Sequence, residues 1–360
     1  GSLTSIDPDG LPPNLVHLIL TNNKIETLEE PELFDRLRNV RKLMLSHNRI
    51  SKFGDEKGSI KKLQNLELLR IAGNELDYID DDLWVLPKLT WLTISGNPLM
   101  EKLKIQAKVP WIGMNDLKST GKYLGEGASG KVTSYKWNDQ EVAVKIIHGV
   151  TSDGRAEDEL SIYGAVGSDG LKHRVVGCVA LLRGEEKKGA VMQLLPSDLN
   201  DLALPPTIVE VTQDRWDNWG DKDNAIFSTS FVLNVLNDVA DALKFLHGTV
   251  GVAHGDIYAH NIKVNKATGR AYVLDFGASY FTDIGMDSNS YAPKAQRLEV
   301  RAFGILVREL VSKLDDHDAY DIRLQLSSLQ LKCMDDDVLR RPSFNEIVDI
   351  LQKLQLKSVN

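Results

Sequence analysis

Cysteine is scarce in this chain: Cys178 and Cys333 are the only two among 360 residues, and neither stands at metal-ligand spacing from a partner. That argues against a disulfide-built secreted scaffold and a zinc module, and for a reducing, cytoplasmic compartment. Long apolar runs are also lacking. No stretch of 18 or more apolar residues occurs, so no segment is expected to span a membrane. Basic excess is the third absence. Residues 1–110 carry 15 Lys/Arg against 16 Asp/Glu and the remainder 28 against 35, for a formal net charge of −8. Neither part has the cationic footprint that nucleic acid requires.

What the first 110 residues do contain is a repeat. Leu15, Leu18, Leu20, Asn23 and Ile25 recur as Val40, Leu43, Leu45, Asn48 and Ile50. They recur again as Leu66, Leu69, Ile71, Asn74 and Leu76, and as Leu89, Leu92, Ile94, Asn97 and Leu99. The asparagines step by 25, 26 and 23 residues. An amphipathic helix is excluded, because it would bury the asparagine row. A short strand per repeat fits, with each Asn satisfying backbone groups where the chain bends. The pattern resembles the leucine-rich repeat family. Leu3 and Ile6 fit the tail of an earlier repeat, so further repeats are expected upstream. Residues between the inward leucines should line a concave face, with Ile19, Met44, Leu68, Arg70 and Trp91 as the expected surface for a protein ligand.

The rest of the chain carries ordered motifs. Gly125-Glu126-Gly127-Ala128-Ser129-Gly130 is followed by strand-forming residues, Val132 to Trp137, then an Asn138-Asp139 turn and a second strand, Glu141 to Ile147. A dinucleotide turn would need a helix after the glycines, so a hairpin folding over phosphates fits better. Downstream come His254-Gly255-Asp256, Asn261, and Asp275-Phe276-Gly277. A carboxylate, an amide and a second carboxylate at this spacing suit phosphoryl transfer: one group for the acceptor's proton, two for magnesium.

Together these pieces resemble the eukaryotic-type protein kinases, from about Lys118 to the end of the chain. The resemblance implies an α/β multidomain protein: a leucine-rich-repeat solenoid over 1–110, a linker over 111–118 and a bilobal kinase fold over 119–360. It implies ATP with Mg²⁺ or Mn²⁺ as cofactors, and protein hydroxyls as acceptors, Ser/Thr ahead of Tyr, with dual specificity open because neither acceptor-class signature is present. By the same resemblance, Gly125, Gly127 and Gly130 cover the phosphates beside Val132 and Ala143. Lys145 binds them and pairs with Glu159, with Glu157 as the other candidate. Met192 guards the adenine pocket, where Gln193 and Leu195 offer backbone groups. Asp256 is the catalytic base, and Asn261 and Asp275 hold metal. Asp198 is a candidate ribose contact.

Several positions depart from that pattern. Gly255 replaces the usual Arg, which implies activity independent of loop phosphorylation. Tyr258 and His260 stand where Ser/Thr and Tyr kinases place their Lys and Arg. Lys263 replaces an apolar floor residue, Lys294 replaces the Glu that pairs with Arg341, and Glu299 occupies the position of a helix Asp. A long segment with Pro205-Pro206, Trp216 and Trp219 is a lid or a local packing unit. Trp111 either touches the repeats' partner domain or caps the last repeat. The alternatives to an active protein kinase are a pseudokinase scaffold, a small-molecule phosphotransferase, or function residing in the repeats alone.

Overall fold

The computed structural model describes residues 1–28, 32–55, 58–101, 107–127, 129–147, 149–184, 187–219, 225–282, 291–315 and 320–358. The suggested domain end near residue 110 follows a stretch, 102–106, outside the described residues, as does Ala128 of the glycine loop.

The repeat period folds as the spacing requires. Strands His17–Ile19, Lys42–Met44, Leu68–Arg70 and Trp91–Thr93 form one parallel sheet. Their register is strict: His17, Lys42, Leu68 and Trp91 make one row, and Ile19, Met44, Arg70 and Thr93 another. Leucines between these rows are buried, because alternate residues of a strand face opposite sides. Behind them runs the asparagine ladder. Asn74 donates to Leu45 O and Ile71 O at 3.0 Å each, and accepts from Ile50 N at 3.1 Å. Asn48 and Asn97 repeat this bonding one turn to either side. Each buried amide thus closes the bend between successive repeats. Leu3 N donates to Asn23 Oδ1 at 3.2 Å and Ile6 is buried, so residues 1–6 lie on the first repeat.

The second domain is bilobal. A six-stranded sheet runs in the order Trp111–Ile112, Cys178–Leu182, Lys188–Gln193, Gln140–Ile147, Gly130–Trp137, Lys118–Gly127. Trp111–Ile112, read from sequence as linker, is instead an edge strand of this sheet. Trp111 is exposed under the Arg183 guanidinium and does not cap the repeats. The Asn138-Asp139 turn has φ of 49° and 61°, the geometry a two-residue hairpin needs. Helix Ala156–Val166 packs behind the sheet. The lower lobe is helical: Thr229–Phe245, Tyr291–Val311, Tyr320–Cys333 and Phe344–Ser358. Ser228 caps the first of these by accepting from Phe231 N.

The solenoid does not hang free. Its concave face is filled by the second domain, which corrects the expectation of an open ligand surface. Leu68 and Trp91 are buried in the kinase-like core, Met44 packs against it, and Arg70 pairs with Asp153 at 3.0 Å. Only Ile19 of the five expected residues stays exposed. In return Ala253, Tyr280, Ala295 and Leu298 enter the core of the repeats. The two cores interlock across the seam.

Candidate active site

A cleft of about 580 Å³ opens between the two lobes. Gly125, Gly127, Gly130, Val132, Ala143 and Lys145 line its roof, and Met192, Gln193 and Leu195 its back, all as read from sequence. The glycines serve two purposes. A Cβ on Gly130 would lie 2.2 Å from Ile146 O, so that glycine lets two strands close. Nothing lies within 4 Å of a Cβ on Gly125 or Gly127, which leaves open space under the loop for a ligand.

At the inner end Lys145 Nζ donates to Glu159 Oε1 at 2.6 Å and to Asp275 Oδ1 at 3.2 Å. Burial opposes the ammonium, but Tyr163, Asp275 and Glu159 overcome that and raise its pKa, so it stays charged. Burial likewise opposes the Asp275 carboxylate, yet Lys145 and the Gly277 amide hold its pKa low. Glu157, the other candidate, is a surface residue paired with Lys188. Asp275 has φ of +67°, a left-handed conformation that is costly for Asp and clusters at functional sites. Phe276 anchors it, buried edge-on against Tyr163 with ring centroids 5.0 Å apart.

Asn261, which lines the cleft, donates through Nδ2 to Asp256 O at 2.9 Å, so its side-chain oxygen is not used in that bond. Asp256 Oδ1 is buried without a hydrogen-bond partner, and Asp256 itself is not among the residues lining the cleft; its Oδ2 faces His260, which does line it. Among the described residues no cluster of three or more His, Cys, Asp or Glu could hold a metal alone. Asn261 and Asp275 offer one oxygen-donor side chain each. That set fits Mg²⁺ carried on phosphates, which takes one or two protein oxygens and completes its shell with substrate and water.

The departures from the kinase pattern find partners. Glu299, buried, accepts from Gly255 N at 2.6 Å and meets His247 Nε2 at 2.5 Å, so it ties the catalytic loop to the helix behind it. Lys263 pairs with Asp201 at 2.8 Å, along the cleft wall. Asp198 pairs with Asn265 and is not among the residues lining the cleft. Lys294 approaches Asp81 of the repeats, at 3.6 Å. Arg341 donates to Arg297 O at 3.0 Å and, across the seam, to Pro87 O at 2.7 Å. Residues 283–290 of the short activation segment lie outside the described residues.

Sequence reasoning missed two residues here. Asp214, in the long segment, accepts from His260 N at 3.1 Å and faces its Nδ1 at 2.8 Å. The other ring nitrogen of His260 faces Asp256 at 3.7 Å. Burial alone would lower the imidazole pKa, but Asp256 and Asp214 overcome it and raise it to about 10. His260 therefore places a cation beside Asp256. Asp153 is the second: it reaches from the hairpin Val150–Arg155 to Arg70 of the repeats. No sequence motif marks either position. Trp216 and Trp219 pack on Phe227, so the long segment is anchored locally.

The profile of the protein tyrosine and serine/threonine kinases matches residues 119–303, half of the chain. This chain belongs to that family. The leucine-rich repeat profile matches residues 53–99. The kinase is 25% identical over 299 residues to a probable LIM domain-containing serine/threonine-protein kinase of Dictyostelium discoideum, covering 72% of this chain and 42% of that one. It is 24% identical over 276 residues to the dual specificity protein kinase shkD of the same organism, covering 64% and 34%. Its repeats are 40% identical over 76 residues to mouse podocan-like protein 1, covering 21% and 13%. The chain thus spans less than half of the length of each. Among the described residues no helix of the kinase is long and apolar enough to cross a membrane.

Proposed function

We propose that the chain transfers the γ-phosphoryl group of ATP, carried on Mg²⁺ or Mn²⁺, to protein hydroxyls, of Ser/Thr rather than Tyr. The single observation behind this is Lys145, held at 2.6 Å from Glu159 and 3.2 Å from Asp275 at the inner end of the cleft. That arrangement would set an ammonium against the phosphates of a bound nucleotide and a carboxylate where its metal would be held. Asp256, whose Oδ2 faces the cleft-lining His260 at 3.7 Å, takes or orients the proton of the acceptor. Asn261 and Asp275 hold the metal. Gly125, Gly127 and Gly130 cover the phosphates, Val132 and Ala143 pack on the adenine, and Met192, Gln193 and Leu195 form its back wall. The metal, once bound, neutralises charge developing on the phosphoryl oxygens; the chain's own part is to orient and to keep Lys145 charged.

The name of the LIM domain-containing relative, a probable serine/threonine-protein kinase, supports Ser/Thr acceptors, while shkD is named a dual specificity kinase. The scaffold alternative rests on a weakened substrate platform and on Lys263 at the adenine floor; Lys263 is engaged by Asp201 at 2.8 Å while both still line the cleft. A cytoplasmic location suits two buried free thiols whose pKa values burial raises to about 12. Labelled ATP with Mg²⁺ and a panel of protein and peptide acceptors tests the reading. Label on Ser or Thr that Lys145→Met abolishes supports it; label only on small alcohols, or nucleotide binding without any transfer, overturns it.

A further inference from the structure

Nearest to the catalytic loop outside its own domain lies the last strand of the repeats. Tyr258 OH, buried, donates to Thr90 Oγ1 at 2.6 Å. The Trp91 ring lies against Tyr258 at 5.4 Å between centroids and against His260 at 5.8 Å, and Tyr258 and His260 stack at 6.1 Å with planes 7° apart. Leu92 N donates to Gly255 O at 3.3 Å. A Cβ on Gly255 would lie 3.0 Å from Leu92 O and 2.3 Å from Ala278 O, at a φ of +81° that favours glycine. The Arg70 guanidinium lies over the Trp91 ring at 5.0 Å and holds the hairpin tip by a hydrogen bond to Ser152 Oγ at 2.7 Å and an ion pair with Asp153 at 3.0 Å.

Resting on the kinase reading above, we propose that Thr90 and Trp91 of the repeats are positioning residues for phosphoryl transfer: they hold Tyr258 and His260, and through them the loop that carries Asp256. Two observations separate such a strut from an inhibitory lid. The repeats are docked while Lys145, Glu159 and Asp275 are already joined, so docking and an assembled site coexist. A lid must lift at small cost, whereas lifting these repeats would expose Leu68, Trp91, Ala253, Tyr280, Ala295 and Leu298, all buried. The strut also gives a reason for the glycine before Asp256. In this chain that position is closed chiefly by Ala278 O of its own domain and by the left-handed φ, with Leu92 O of the repeats adding a third constraint, so a phosphate-reading Arg is replaced by packing.

The test uses the full chain and three variants. Trp91→Ala removes the ring, Trp91→Phe restores an aromatic face, and Thr90→Val deletes the acceptor of Tyr258 with little change of shape. Hydrogen exchange of backbone amides over 252–262 should quicken about tenfold or more in Trp91→Ala and Thr90→Val, and return toward wild type in Trp91→Phe. In the same proteins kcat should fall about tenfold or more while KM for ATP changes less than about twofold, because neither Thr90 nor Trp91 lines the nucleotide cleft and its roof and back wall keep their contacts. Unchanged exchange, or a kcat that rises when the ring is removed, would overturn the strut. A wild-type chain that transfers no phosphate, while the exchange effects appear as stated, would overturn the kinase reading and leave the loop-holding role standing.

Discussion

At the scale of single residues, the site rests on a few side chains with no substitute. Lys145 is the only cation joined to both Glu159 and Asp275 among the described residues. Asp256→Asn keeps shape and removes the accepting charge, so transfer should fall by about 10²–10⁴-fold with ATP binding retained, as read by labelled transfer alongside calorimetric titration. Gly255 gives a second prediction with the opposite intuition. Restoring the family residue by Gly255→Arg should not raise activity. It should destabilise the protein by at least about 1–3 kcal/mol, since the left-handed φ and the 2.3 Å approach of Ala278 O both oppose a side chain. Thermal denaturation of the variant decides between the two.

At the scale of elements, the asparagine ladder and the long segment each carry a prediction. Asn74→Ala leaves Leu45 O, Ile71 O and Ile50 N without their partner inside the solenoid. The cost should be about 2–4 kcal/mol, visible as a lower denaturation midpoint in urea. Glu309, on helix Tyr291–Val311, is buried beside Asp214, and burial first, then the Asp214 charge, push its pKa up to about 8. Its unfolded pKa is about 4.3, so between those values the folded chain holds the extra proton. The contribution of Glu309 to stability is therefore full below about pH 4 and lost as pH rises through about 8. Glu309→Gln should flatten that decline, raising Tm above pH 8 more than at pH 5 in calorimetry.

These elements differ in how plainly the sequence states them. The repeat is legible because its period acts locally: each leucine and asparagine meets its counterpart one turn away, at 23 to 26 residues. Likewise the glycine hairpin and the Asp-Phe-Gly turn are short-range geometry written in residue types that few alternatives tolerate. Glu159 over Glu157 follows from helical spacing, and the Lys188 pair leaves Glu157 outside. Asp214 is not legible, because a carboxylate inside an irregular segment has no periodic neighbour to announce its direction. The docking of Trp91 on Tyr258 joins residues far apart in sequence, so no local pattern encodes it. Its trace was nevertheless present, in the places where Gly255, Tyr258 and Lys294 break the kinase consensus.

At the scale of the whole molecule, repeats and kinase act as one body. Removing residues 1–110 would bare Ala253, Tyr280, Ala295 and Leu298 on the catalytic domain. At about 1.5–3 kcal/mol for each large apolar side chain returned to water, Tyr280 and Leu298 together cost about 3–6 kcal/mol, a large share of a domain's stability. The isolated catalytic domain should aggregate or expose dye-binding apolar surface, while the intact chain stays monodisperse in light scattering.

The most direct test of the whole account is phosphoryl transfer by the intact chain after exhaustive phosphatase treatment and phosphatase removal. With ATP and Mg²⁺, label should still reach acceptor Ser or Thr at the untreated rate, and Asp256→Asn should lower it by about 10²–10⁴-fold. Transfer that disappears with the phosphates, or that stays at the wild-type rate in the Asp256 variant, would contradict this.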